Sequence, residues 1–68
     1  MSKFTLKALR INAGLTQKEV AEKLNRSEKT IGKWEKGTTF PKPMEIDAIC
    51  ELYNVSYDNI NFLPTNSL

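Results

Sequence analysis

Sixty-eight residues carry ten Lys and Arg against eight Asp and Glu, with one cysteine and no histidine. A chain of this length supports one domain with a marginal core. An intramolecular disulfide is impossible, and the usual general base and commonest metal ligand are both missing.

The charges are divided along the chain. All ten bases lie in residues 1–42 beside four of the acids, and residues 43–68 hold the other four acids and no base. That division suits one face turned towards a polyanion and another held away from it. No apolar run approaches the roughly 20 residues of a membrane span, and no signal peptide is visible. The lone thiol suits a reducing cytosol, so a cytoplasmic bacterial or phage-infected setting is expected.

Helical periodicity dominates and no segment alternates at period two. The prediction is an all-α fold, a compact bundle of about five short helices with no sheet. Leu6 and Leu9 mark a first helix over about 4–13, stopped by Gly14. Thr16 and Glu19 form a capping box opening a second helix over about 17–24, each side chain satisfying the other's free backbone N–H. Val20, Ala21 and Leu24 are its inner stripe.

Asn25 and Arg26 make the turn, since Asn tolerates the left-handed conformation that ends a helix. Ser27 caps a third helix over 28–36 and Gly37 stops it. Its back is apolar, Ile31 and Trp34, and its front polar, Ser27, Glu28, Lys29 and Lys33. Trp34 is three residues from Ile31 and so belongs to the core. The loop from Thr38 to Pro43 has Phe40 as its one large apolar residue, expected to be buried. A fourth helix over about 44–53 follows, with Pro43 at or just before its start. Ile46, Ile49, Cys50, Leu52 and Tyr53 face inward along it, and Asn54 ends it. Ser56 caps a last helix over about 57–62 anchored by Ile60. One domain is expected over 1–68, its core about 5–62 and residues 63–68 a polar tail.

A short helix, a turn of about three residues and a second short helix have the geometry of a helix-turn-helix, whose second helix enters the DNA major groove. The run Leu9-Arg10, Gly14-Leu15-Thr16-Gln17, Val20-Ala21, Leu24, Ser27, Ile31, Trp34-Glu35-Lys36-Gly37, Pro41, Ile46, Leu52, Val55-Ser56 and Ile60 resembles the lambda-repressor-like, Cro/Xre-type family of DNA-binding domains. The match covers about residues 5–62. It implies that Gln17 bonds a DNA phosphate and supports the recognition helix, and the free N–H groups of its helix end favour the same phosphate. It implies a structural ion pair between Arg10 and Glu35, and base-reading roles for Glu28, Lys29 and Lys33. Lys donates to guanine and Glu accepts from cytosine. Ser27 can bond a base or a phosphate. Gly32 departs from the family's longer side chain on this face.

Arg26, Lys36, Thr38 and Thr39 flank the helix and are expected to touch phosphates, partly through loop N–H groups; such contacts set register and not sequence. Lys3, Lys7, Lys18, Lys23 and Lys42 read as solvated. The expected function is a sequence-specific transcriptional regulator of double-stranded DNA, a repressor acting as a homodimer on a pseudopalindrome. The dimer surface is expected at Asn54, Tyr57, Asp58, Asn61, Phe62 and Leu63, a region without bases where Phe62 and Leu63 have little of their own chain to pack against. The alternative is a DNA-binding antitoxin or protein-interaction module. No enzyme is expected, because no nucleophile–base pair or metal cluster is present, and no cofactor or small-molecule ligand is implied.

Overall fold

The computed structural model describes residues 3–63. The order is β1 (Phe4–Thr5), α1 (Leu6–Asn12), α2 (Gln17–Leu24), α3 (Glu28–Lys36), α4 (Pro43–Tyr53), a single 3₁₀ turn (Tyr57–Asn59) and β2 (Ile60–Asn61). Three of the four α-helices begin at a hydroxyl side chain. The Oγ1 of Thr5 accepts from the Ala8 N–H at 3.1 Å, that of Thr16 from Glu19 at 3.0 Å, and the Oγ of Ser27 from Thr30 at 3.1 Å. These bonds satisfy donors that the first turn of a helix cannot pair internally. At α4 the Glu45 carboxylate accepts from the Lys42 N–H at 2.7 Å, and Pro43, with no N–H to satisfy, is the first residue. No described helix is long and apolar enough to cross a membrane.

The stops are equally regular. Gly14, Asn25, Gly37 and Asn54 all take left-handed backbone, with φ of 73°, 57°, 76° and 55°. Each lets the chain reverse and return an N–H to the preceding helix: Leu15 to the Arg10 carbonyl, Arg26 to Ala21, Thr38 to Lys33 and Val55 to Cys50. The elements thereby stay short and turn sharply, which folds their apolar stripes onto one centre. That centre comprises Leu6, Leu9, Val20, Ala21, Ile31, Trp34, Ile49, Ile60 and Phe62. Ile46, Cys50, Leu52 and Tyr53 pack against it from α4.

Four expectations are corrected. The first helix starts at Leu6, because Thr5 is spent as its cap and Phe4–Thr5 is extended. A sheet is present: β1 and β2 pair in parallel, Phe4 opposite Ile60 and Thr5 opposite Asn61. The fifth helix is reduced to the 3₁₀ turn, and Ser56 makes no side-chain cap. The chain then extends so that Ile60 enters the core and its backbone meets β1. Phe40 and Phe62 exchange places relative to expectation. Phe62 is 6% exposed and Phe40 is 50% exposed, its ring 5.3 Å from that of Phe62. Phe40 thus shields Phe62 from outside, with Tyr57 on it at 5.6 Å. Of the tail expected at 63–68, residues 64–68 lie outside the described residues.

Burial raises the Tyr53 phenol to about 12, with the nearby negative charge of Glu35 adding to the effect. An unfolded tyrosine ionises near pH 10. The fold is therefore fully stable below pH 10 with respect to this group, and loses stability as pH rises from 10 towards 12. Alkaline denaturation followed by circular dichroism should show that decline in the wild type, and Tyr53→Phe should flatten it.

Candidate nucleic-acid interface

The polar side of α3 faces a shallow concavity lined by Glu28, Lys29, Gly32, Lys33 and Lys36, with Gln17 joining from α2. The opposite side of the same helix, Ile31 and Trp34, is 2% and 5% exposed. The period of the helix produces this two-faced arrangement, since 31 and 34 fall on one side and 29, 32, 33 and 36 on the other. Three ammonium groups and one carboxylate ring the concavity. The carboxylate of Glu35, on the same helix, is turned away and neutralised.

That neutralisation is done by Arg10. Its Nε donates to Glu35 Oε2 at 2.6 Å, one terminal nitrogen donates to Glu35 Oε1 at 3.2 Å, and the other donates to the Leu15 carbonyl at 3.0 Å. The side chains are 12% and 6% exposed. Pairing with Glu35 raises the guanidinium pKa of Arg10 against the opposing effect of burial. One side chain thus binds the end of α1, the loop before α2 and the last turn of α3. Gln17 adds a further bond, its Nε2 donating to Glu35 Oε1 at 3.0 Å. The family resemblance pairs Arg10 with Glu35 and has Gln17 support the recognition helix, without naming Glu35 as the residue that Gln17 bonds.

The remaining predicted contacts are not all on the concavity. Ser27 stands at the start of α3, where its hydroxyl caps the helix and also meets the Thr30 hydroxyl at 2.9 Å. Thr38 and Thr39 follow α3 with exposed side chains, but both backbone N–H groups point at the Lys33 carbonyl, at 2.9 and 3.5 Å. The Thr38 N–H is thereby used within the fold, while the Thr39 N–H makes only a long contact and stays open to a further acceptor, as do both hydroxyls. Arg26 is engaged by Glu45 at the foot of α4, and also donates to the Asn25 carbonyl at 3.0 Å. The Lys42 N–H and then the Arg26 guanidinium hold Glu45 below the ordinary carboxylate range. A pairing between residues 19 apart has no local signature.

The fold itself leaves room for a side chain at Gly32. A Cβ there would stand 3.7 Å from Gln17 Oε1 and 3.8 Å from Nε2, ordinary contact distances. Gly32→Ala should therefore stabilise the protein by about 0.5–1 kcal/mol, because an interior helical glycine is disfavoured by that much. Urea titration checks the sign; destabilisation would show that the gap at Gly32 is needed by the fold.

Comparison with known proteins agrees with this geometry. A family model described as a helix-turn-helix domain matches residues 4–63. The chain is also similar to the HTH-type transcriptional activator BcrR of Enterococcus faecalis, 34% identical over 55 residues. That alignment takes in 81% of this chain and 27% of the relative, so the chain spans about a quarter of the length of the curated protein it matches.

Proposed function

Because the chain belongs to the helix-turn-helix DNA-binding family, we propose that it is a sequence-specific transcriptional regulator that lays α3 in the major groove. The observation that carries this reading is the meeting of Gln17, Lys29, Lys33 and Lys36 around Gly32 on one open face, while the other face of α3 is packed. Lys29, Lys33 and Glu28 read base edges, with Ser27 at the helix start. Gln17, Lys36 and the hydroxyls of Thr38 and Thr39 hold the backbone. Arg26 reaches a phosphate with the terminal nitrogen that Glu45 and Asn25 leave open.

The protein acts as a homodimer on a pseudopalindrome, with half-sites about 34 Å apart. Exposed Tyr57 and Leu63, 55% and 57% exposed, support this pairing together with Phe40. Asn54, Asp58 and Asn61 form its polar rim, and Phe62 backs it from within. An apolar cluster built mainly from residues 57–63, which carry no base, suits a second copy better than DNA. Occupancy of promoter DNA makes the protein a repressor. Activation, as the relative's name has it, is the competing outcome in a reporter assay.

Selection from random duplexes, with stoichiometry on the recovered site, tests the whole. Two copies on a pseudopalindrome are expected, with affinity falling steeply as salt rises. A flat salt dependence would exclude DNA as the ligand. Lys33→Ala should weaken binding by about 1–3 kcal/mol and relax preference at one base-pair position. An unchanged selected motif would remove Lys33 from the readers.

A further inference from the structure

The Arg10–Glu35 pair extends beyond the interior. Glu35 Oε1 accepts from Arg10 at 3.2 Å and from Gln17 Nε2 at 3.0 Å. Gln17 in turn lines the concavity beside Lys29 and Lys33. The glycine at 32 brings no side chain over its carboxamide, the nearest atoms of which lie 3.7 to 4.0 Å from where a Cβ would be. A terminal amide is a rotor with two nearly equivalent orientations and several χ choices. Glu35 removes that freedom. Once Nε2 donates one hydrogen to the carboxylate, the amide plane is set, and its other N–H and its Oε1 are left for an incoming group. Arg10 fixes Glu35 with two bonds and so fixes the orienting group itself.

We propose that Glu35 is a positioning residue for DNA binding: it presets the carboxamide of Gln17 towards the nucleic acid, and Gly32 keeps that carboxamide uncovered. This rests on the reading of the concavity as a DNA surface. Preset donors bind more tightly than free ones because less rotamer entropy is lost on contact. Electrostatics works in the same direction. Arg10 neutralises Glu35, so a phosphate can approach Gln17 without meeting an unpaired carboxylate behind it.

The test compares wild type, Gln17→Ala, the joint exchange Arg10→Met with Glu35→Met, and that pair with Gln17→Ala added. The methionine pair replaces the buried ions with apolar filling, a change that other buried ion pairs have tolerated. The probe is a duplex recovered by selection with the wild-type protein, or a random-sequence duplex at low salt if none is recovered. Gln17→Ala is expected to lose about tenfold in affinity per folded molecule, a hydrogen bond to a charged group being worth at least that, and the methionine pair about threefold, the share that ordering one side chain contributes. The triple variant should lose no more than Gln17→Ala. Wild-type affinity for the methionine pair, or full addition of the two losses, overturns the proposal. If the methionine pair does not fold, Glu35→Gln decides. It keeps a carbonyl acceptor for Gln17, so affinity per folded molecule should hold while stability falls, and a threefold loss overturns the role.

A second readout needs no DNA. The side-chain amide protons of Gln17 should be well separated and slow to exchange by NMR in the wild type, and should move to solvated values in the methionine pair. Solvated values in the wild type overturn the positioning role. A held Gln17 amide in a protein that binds no duplex supports the positioning and sinks the regulator reading instead.

Discussion

Glu35→Ala is expected to lower the unfolding free energy by about 3–5 kcal/mol, because it leaves a buried guanidinium without its counterion. Arg10 would retain only the Leu15 carbonyl among its present partners. A domain below about 70–80 residues rarely has more than 3–5 kcal/mol in reserve, so the variant should be largely unfolded at 25 °C. Circular dichroism with urea titration measures this, and an unchanged midpoint would mean that water reaches Arg10 freely. The contrast with Arg26 and Glu45 is instructive. That pair ties the turn between α2 and α3 to the first turn of α4, but the Arg26 side chain is 43% exposed, and pairs in such surroundings contribute little.

Trp34→Ala should cost about 3–5 kcal/mol, the usual penalty for emptying an aromatic site in a core. Trp34 is 5% exposed and borders both Ile49 in the centre and a cleft against α4 that Leu24 of α2 lines with Met44 and Ala48. An alanine leaves most of the indole's volume unfilled, so a cavity persists and α3 loses its seat. Unfolding should be monitored by far-ultraviolet circular dichroism, as the variant has no tryptophan left. The wild-type indole supplies an independent check. Its emission should be that of a buried ring and should not be quenched when DNA binds; strong quenching would place it against a base.

The features legible in the sequence are those decided locally. A capping hydroxyl, the left-handed Asn and Gly stops and the 31/34 spacing act within a few residues of themselves, and α2 and α3 accordingly begin and end where predicted. The resemblance to a known family supplied Arg10 with Glu35, a pair 25 residues apart that no local rule could join. The features that were missed all lie between distant positions. Two-residue strands are too short to show a period, so Phe4–Thr5 read as the start of a helix. Phe62 was read as unpartnered because the partners that cover it, Phe40 and Tyr57, form a cluster only in three dimensions. The resemblance has Gln17 support α3 but does not say that Glu35 is the residue it bonds: polar side chains carry no mark of the distant group they bond.

The parallel pairing of β1 with β2 bears on how the chain folds. Phe4 and Ile60 are 56 positions apart along the chain, whereas α2 and α3 are neighbours joined by a three-residue turn. Closing the long loop costs entropy that only already-formed intervening helices can reduce. The α2–α3 hairpin is then the place where folding nucleates, and the strand clasp is the late event that draws Ile60 and Phe62 over the open end of the nucleus.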